Sequence, residues 1–244
     1  MSLMLSANLL SRFAGCRMVG FTGPAQSGKN AAGDYLAAIS GAARLGFADT
    51  LKQSILATDP LVSLRPKFIP EWLEPVCPVM RLERLVTAVG WDRAKHYPDV
   101  RGLLQRFGTE GGREVFGPDF WVRAAEERIR RLEQTGWTRF VFTDVRFPEE
   151  IDFIQQQGGA VFRIRRPGVT PLNSHASEQP LSEAELDFGI VNNDSLDALH
   201  ALVRFVGQQL GWVEGYDDQN TQREDGVGAA PEGEQRSGQP ADGG

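Results

Sequence analysis

Apolar positions along the chain recur with two different periods, and the switches between them predict strands and helices in turn. Short apolar runs predict strands at 17–22 (RMVGFT), 138–143 (TRFVFT), 160–164 (AVFRI) and Phe188–Val191, with a further short one at 44–47. Between these runs apolar residues return three and four apart. That spacing predicts a helix at 28–39, with Ala32, Tyr35, Leu36 and Ile39 on one face. A second begins at an Asp49 cap and runs through Leu51, Ile55 and Leu56. Two more follow at about 79–89 and 100–107. Then come Phe120–Gln134, 148–157 and a closing amphipathic helix at 196–210. Between residues 58 and 78 stand five prolines (Pro60, Pro66, Pro70, Pro75 and Pro78), which predict irregular chain there. Strands alternating with helices predict an α/β fold, its parallel sheet covered on both faces.

The periodicity stops near Tyr216. The stretch 213–244 holds eight acids and two bases, so it carries the whole net charge of −6. It has no apolar face to bury, and it predicts a disordered acidic tail. The remaining 212 residues are neutral overall. A neutral body argues against sequence-independent nucleic-acid binding, which needs excess positive charge. Arginine outnumbers lysine by 22 to four, a bias that genomic composition can produce; individual arginines matter only inside motifs. Two cysteines and three scattered histidines give no zinc-ligand spacing. No stretch approaches the ~18–20 apolar residues of a membrane span, and no base precedes the mildly apolar start. A cytoplasmic protein without a membrane or nucleic-acid partner is expected.

The sharpest local signal is GPAQSGKN at 23–30. It fits G-x-x-x-x-G-K, follows an apolar strand and opens a helix, as a phosphate-binding P-loop does. Glycines let the backbone wrap around a polyphosphate so that successive N–H groups point inward, and the helix N-terminus adds partial positive charge. Lys29 adds a full charge. Asn30 stands where such loops usually carry a magnesium-ligating Ser or Thr. There is no NKxD base-reading motif of a GTPase. Asp144 alone follows the apolar run at 140–143, where a mechanical ATPase has an acidic pair. A small-molecule kinase suits the size best.

Other segments carry ligand-binding residue types: GFADTLK at 46–52, LLQRFGTEGGR at 103–113, GPDFWV at 117–122, and TDVRFP at 143–148. The last lies at the carboxyl end of a strand, the edge where open α/β sheets bind ligands. Together with FTGPAQSGKN, FTDVRFPEE, the Gly158-Gly159 turn and HASE near Ile190-Val-Asn-Asn, their ordered set resembles the deoxynucleoside monophosphate kinases of bacteriophages, over about residues 17–210.

The resemblance implies a P-loop kinase-like three-layer sandwich with a parallel five-stranded sheet, in a domain spanning 1–212. A mostly helical acceptor-binding insertion would occupy 58–118 and a lid-like segment 165–186. It implies transfer of the ATP γ-phosphoryl group, with Mg2+, to a deoxynucleoside monophosphate (dNMP), in the cytoplasm of a host. Family analogy also allows a homodimer. Members commonly carry Asp at the position of Asn30.

On this reading Lys29, Gly23, Ala25, Gln26, Ser27, Gly28 and Asn30 hold ATP. Arg165, with Arg163 and Arg166, closes over the triphosphate. Lys29, Asp144 and Arg146 are the catalytic residues, and Asn30 and Asp144 the magnesium ligands. Asp49, Lys52, Gln105, Gly108, Thr109, Arg113, Trp121 and Arg146 bind the dNMP. Each assignment has a structural competitor. Asp144 and Asp49 could cap helices, Arg146 could pair with Glu149 or Glu150, and Trp121 could belong to the core. The activity has competitors too: a dephospho-CoA or shikimate type of kinase, or a non-catalytic nucleotide-binding module. The preferred base is open.

Overall fold

In the computed structural model, which describes residues 11–65, 78–169 and 186–214, the chain alternates strands and helices. It runs β1 (Met18–Thr22), α1 (Lys29–Ser40), β2 (Ala43–Leu45), α2 (Ala48–Thr58), β3 (Leu61–Ser63), β4 (Val79–Arg81), α3 (Leu82–Ala94), α4 (Pro98–Gly108) and α5 (Glu114–Phe116). Then follow α6 (Phe120–Gln134), β5 (Phe140–Val145), α7 (Pro148–Gln156), β6 (Ala160–Arg165), β7 (Phe188–Val191) and α8 (Leu196–Gln209). Five strands form one parallel sheet in the order β2-β5-β1-β6-β7. The order reverses around β1, so the loop after β1 opens at the topological switch point, where such sheets bind ligands.

The apolar runs are buried on both faces, which is why they read as runs and not as alternation. On one face Val19, Phe21, Val141, Phe162, Ile164 and Ile190 pack with Leu36 of α1 and Leu199, Val203 and Val206 of α8. On the other, Phe140, Phe142, Val145 and Val161 meet Val122, Ala125 and Ile129 of α6 and Ile151 and Ile154 of α7. Helix, sheet and helix make three layers. The α/β sandwich with a parallel five-stranded sheet is therefore present as expected.

A third apolar cluster joins α2 and α6 to the elements between them, with Leu51, Ile55, Val62, Leu82, Leu85, Val100 and Trp121 at its centre. Here the pattern misled. Within the proline-rich stretch the chain forms β3, which pairs antiparallel with β4. Three-residue strands are too short to show a period. The expected helix at 79–89 starts at Leu82 and continues to Ala94, bending at Gly90, whose φ is 75°. The glycine-rich turn at 109–113 is a π-helical turn that prolongs α4, with the Glu114 N–H reaching the Thr109 carbonyl. Residues 66–77, most of the expected lid (165–186) and nearly all of the expected tail (213–244) lie outside the described residues. Among the described residues no helix is long and apolar enough to cross a membrane.

Candidate active site

The GPAQSGKN segment at 23–30 connects β1 to α1 and enters its first turn. Its backbone takes left-handed φ values at Gly23 (144°), Gln26 (65°) and Gly28 (105°). At Gly23 a Cβ would lie 2.3 Å from the Ile164 carbonyl oxygen, so no side chain fits there. Lys29 is buried, and its Nζ donates to the Pro24 carbonyl at 3.0 Å, folding the ammonium across the loop. Ser27 is fully buried, while Asn30 is exposed in the first turn of α1. Beside the loop lies a cavity of about 360 Å³, lined by Pro24, Arg165, Arg166, Pro167, Val169 and Val191. Arg165 and the loop thus border the same space.

The carboxyl ends of β2 and β5 form the second half of the site. Asp144 accepts the N–H groups of Phe47 (2.8 Å) and Ala48 (3.0 Å), one on each carboxylate oxygen. It caps α2 from another strand. Asp49 is not the cap expected from sequence; it sits in the first turn, behind the N-cap position Phe47. Its carboxylate accepts from the Gly46 N–H (2.9 Å), Lys52 (3.2 Å) and Arg128 (2.9 Å). A Cβ at Gly46 would meet Asp144 Oδ2 at 2.8 Å and Asp49 Oδ1 at 3.1 Å, so the two carboxylates flank this glycine. Lys95, at the end of α3, is an unforeseen neighbour. Burial, and then the charges of Lys52 and Arg146, lower its pKa, while Asp92 at 3.6 Å opposes them. Lys52 and Lys95, each paired with a carboxylate (Asp49 and Asp92), and Arg146 are thus the cations near this edge.

Two expected acceptor residues are used inside the protein. Trp121 is 5% exposed, donates from Nε1 to the Gly108 carbonyl at 2.7 Å and packs on Gly112. Buried in the third apolar cluster, it has no open face for a base. Arg113 is also buried. It donates to Glu150 (2.7 Å), Glu149 (3.4 Å) and the Pro118 carbonyl (2.6 Å), and its guanidinium lies 3.5 Å from the centre of the Phe147 ring. The ion pair foreseen as an alternative for Arg146 is made by Arg113 instead. Gln105, Gly108 and Thr109 are half-buried on α4 and its π-helical continuation, within the same insertion.

Glu150 organises this corner, although the sequence marks it only as a possible ion-pair partner. Third in α7, behind Pro148, it accepts the N–H groups of Arg146 (2.7 Å) and Phe147 (3.2 Å). The spacing F-P-E-E carried that signal: proline at the first helical position and an acid reaching back from the third. Burial, then the Asp144 charge, push the Glu150 carboxyl up to about 8, against the pull of Arg113 and the two N–H groups. A folded-state pKa above the ordinary carboxyl value means that folding takes up a proton between the two. This group's contribution to stability is therefore full below about pH 4.5 and lost as pH rises through 8. Denaturant melts at pH 5.5 and 8.5 check this; equal or greater stability at 8.5 in wild type, with Glu150→Gln showing the same slope, contradicts it.

The model of the deoxynucleotide monophosphate kinase family matches residues 79–203, just over half of the chain. The chain belongs to that family. The matched range covers β4 to α8 and does not include the loop at 23–30. A protein of Acanthamoeba polyphaga mimivirus assigned as a deoxynucleotide monophosphate kinase is 28% identical over 195 residues, 76% of this chain and 93% of that one. The deoxynucleotide monophosphate kinase of Enterobacteria phage T4 is 27% identical over 105 residues, 43% of this chain and 44% of its own. Among solved structures, a sugar kinase of Janibacter sp. HTCC2649 aligns over 82% of this chain and 99% of its own, with 12% identity and a TM-score of 0.41.

Proposed function

We propose that this member of the deoxynucleotide monophosphate kinase family uses its P-loop to hold ATP and passes the γ-phosphoryl group to a dNMP, giving dNDP and ADP. One juxtaposition carries the reading. A phosphate cradle at the switch point shares its sheet edge with the cations Lys52, Lys95 and Arg146. Two anions that must react need two cationic seats on one edge, and phosphoryl transfer asks mainly for positioning and charge neutralisation.

Lys29 leaves the Pro24 carbonyl and neutralises the β- and γ-phosphates, together with the inward N–H groups of the loop. Arg146, with Lys52 and Lys95 nearby, holds the acceptor phosphate. One of its oxygens bonds to the γ-phosphorus while the bond to the β-phosphate oxygen breaks. Asp144 acts by holding α2 in place, and Asp49 by fixing Lys52. Gln105 and Thr109 are the polar groups offered to the acceptor on the insertion side. Arg165 and Arg166 cover the triphosphate and exclude water.

The residues present also fit Mg2+, which binds largely through phosphates and water. Asn30 offers an exposed amide oxygen, and each Asp144 oxygen keeps a lone pair beyond its single N–H bond. When bound, the ion would neutralise developing phosphate charge.

A coupled ADP-release assay across dAMP, dGMP, dCMP, dTMP, dephospho-CoA and shikimate tests the proposal. Turnover with one or more dNMPs is expected. Turnover confined to a non-nucleotide acceptor, or ATP binding with no turnover at all, overturns it. In the same assay Arg146→Ala is expected to raise KM for dNMP about tenfold or more, the loss of one charge-assisted contact. KM for ATP should stay within about twofold. An equal rise in both would remove Arg146 from the acceptor seat.

A further inference from the structure

Asn192, just beyond the end of β7, touches both halves of the donor site. It is 8% exposed. Its Nδ2 donates to the Ser27 carbonyl at 2.8 Å, and its own backbone N–H donates to the Arg165 carbonyl at 2.7 Å. It also lies flat against the loop: a Cβ at Gly28 would stand 2.5 Å from Nδ2, with Leu199 behind at 3.2 Å. Ser27 and Gly28 belong to the phosphate cradle; Arg165 and the adjacent Val191 line the neighbouring cavity with Pro24.

The hydroxyl of Ser27 is buried without a hydrogen-bond partner among the described residues. Anchoring of this residue from outside the loop therefore falls to Asn192. The peptide joining Ser27 to Gly28 is trans, so pulling its carbonyl toward Asn192 turns the Gly28 N–H to the opposite side. The amide contact thus sets which way a loop N–H points, and N–H direction is what a phosphate cradle is made of.

We infer that Asn192 is a positioning residue for the phosphate donor, stapling the P-loop to the end of β6 so that the polyphosphate cradle and the cavity beside it stay in register. The inference rests on the donor half of the proposed function. It assigns nothing to the acceptor seat, and that asymmetry is its test.

Asn192→Ala and the isosteric Asn192→Asp are compared with wild type for KM of ATP, KM of dNMP, kcat, thermal melting and direct titration with ATP. Asn192→Ala is expected to raise KM and Kd for ATP about tenfold, the loss of a buried hydrogen bond, with KM for dNMP within about twofold. Asn192→Asp keeps the shape but sets a carboxylate against the Ser27 carbonyl, and should weaken ATP further. A merely structural role predicts lower melting with both KM values unmoved, or moved together; either result overturns the inference. If Asn192→Ala does not fold, Asn192→Asp carries the test alone. Should wild type turn over no dNMP, the proposed function fails, while the ATP titration still decides on Asn192: unchanged Kd in both variants overturns the staple.

Discussion

Lys29→Ala is expected to lower kcat by on the order of 10³-fold, the scale on which removing one preorganised charge stabiliser acts. In the free protein the ammonium donates to the Pro24 carbonyl at 3.0 Å, across the 23–30 loop. Nothing in the three apolar clusters uses it, so truncation leaves the packing of α1 on the sheet as it was. The charge it offers matters most when negative charge passes from the γ-phosphoryl group to the leaving β-phosphate oxygen. The loss should therefore fall on kcat more than on KM for ATP, whose ground-state contacts include the remaining N–H groups. Lys29→Arg should rescue little, because a planar fork does not fit where a point charge on a flexible stem reaches into a closed loop. The measurement is initial rate by coupled ADP release, with circular dichroism melts of each variant. A melting point unchanged within a degree or two and a collapse of kcat is the expected pair. Normal turnover would mean that the loop is not the donor site.

The sheet was legible because its strands are buried on both faces. Continuous apolar runs at β1, β5 and β6 leave little choice but a parallel sheet between helical layers. α6 was legible to the residue, its buried positions Trp121, Val122, Ala125 and Ile129 repeating along one face. The loop at 23–30 was legible because its signal is local: G-x-x-x-x-G-K stands in consecutive residues between a strand and a helix. The contacts that hold it, and those at the corner of Asp144, Arg113 and Glu150, were not, because they join distant parts of the chain. Asp144 and Ala48 lie 96 residues apart, Arg113 and Glu150 37 apart, and Asn192 and Ser27 165 apart. A charged side chain in a motif shows that something is bound, but not whether the partner is a ligand or another residue. Arg113 looked like a phosphate ligand on type and place, and its partner turned out to be the protein. Lys95 was passed over for the converse reason: it stands in no motif, and only folding brings it beside Lys52 and Arg146.

Above pH 8, where Glu150 is ionised, Arg113→Ala is expected to lower unfolding stability by about 3–5 kcal/mol, the cost of breaking a buried ion pair from one side. The pair joins three elements. Arg113 ends the π-helical turn, its guanidinium lies on the Phe147 ring, and Glu150 begins α7. Removing the cation leaves Glu150 buried beside Asp144, an ionised carboxylate with a like charge nearby; removing Glu150 leaves Arg113 with the Pro118 carbonyl, the Phe147 ring and the half-exposed Glu149. Stability alone would not show why the pair matters here, because an apolar pair of similar volume can be just as stable. The double variant Arg113→Met/Glu150→Leu separates the two. Denaturant midpoints should return toward wild type. Turnover should not, because an apolar side chain in place of Glu150 cannot accept the N–H groups of Arg146 and Phe147, and the chain that carries Arg146 to the acceptor phosphate loses its hold. KM for dNMP should rise in the double variant while KM for ATP stays near wild type. Recovery of both stability and KM for dNMP would show that the pair is packing only, and that Arg146 is held by other contacts.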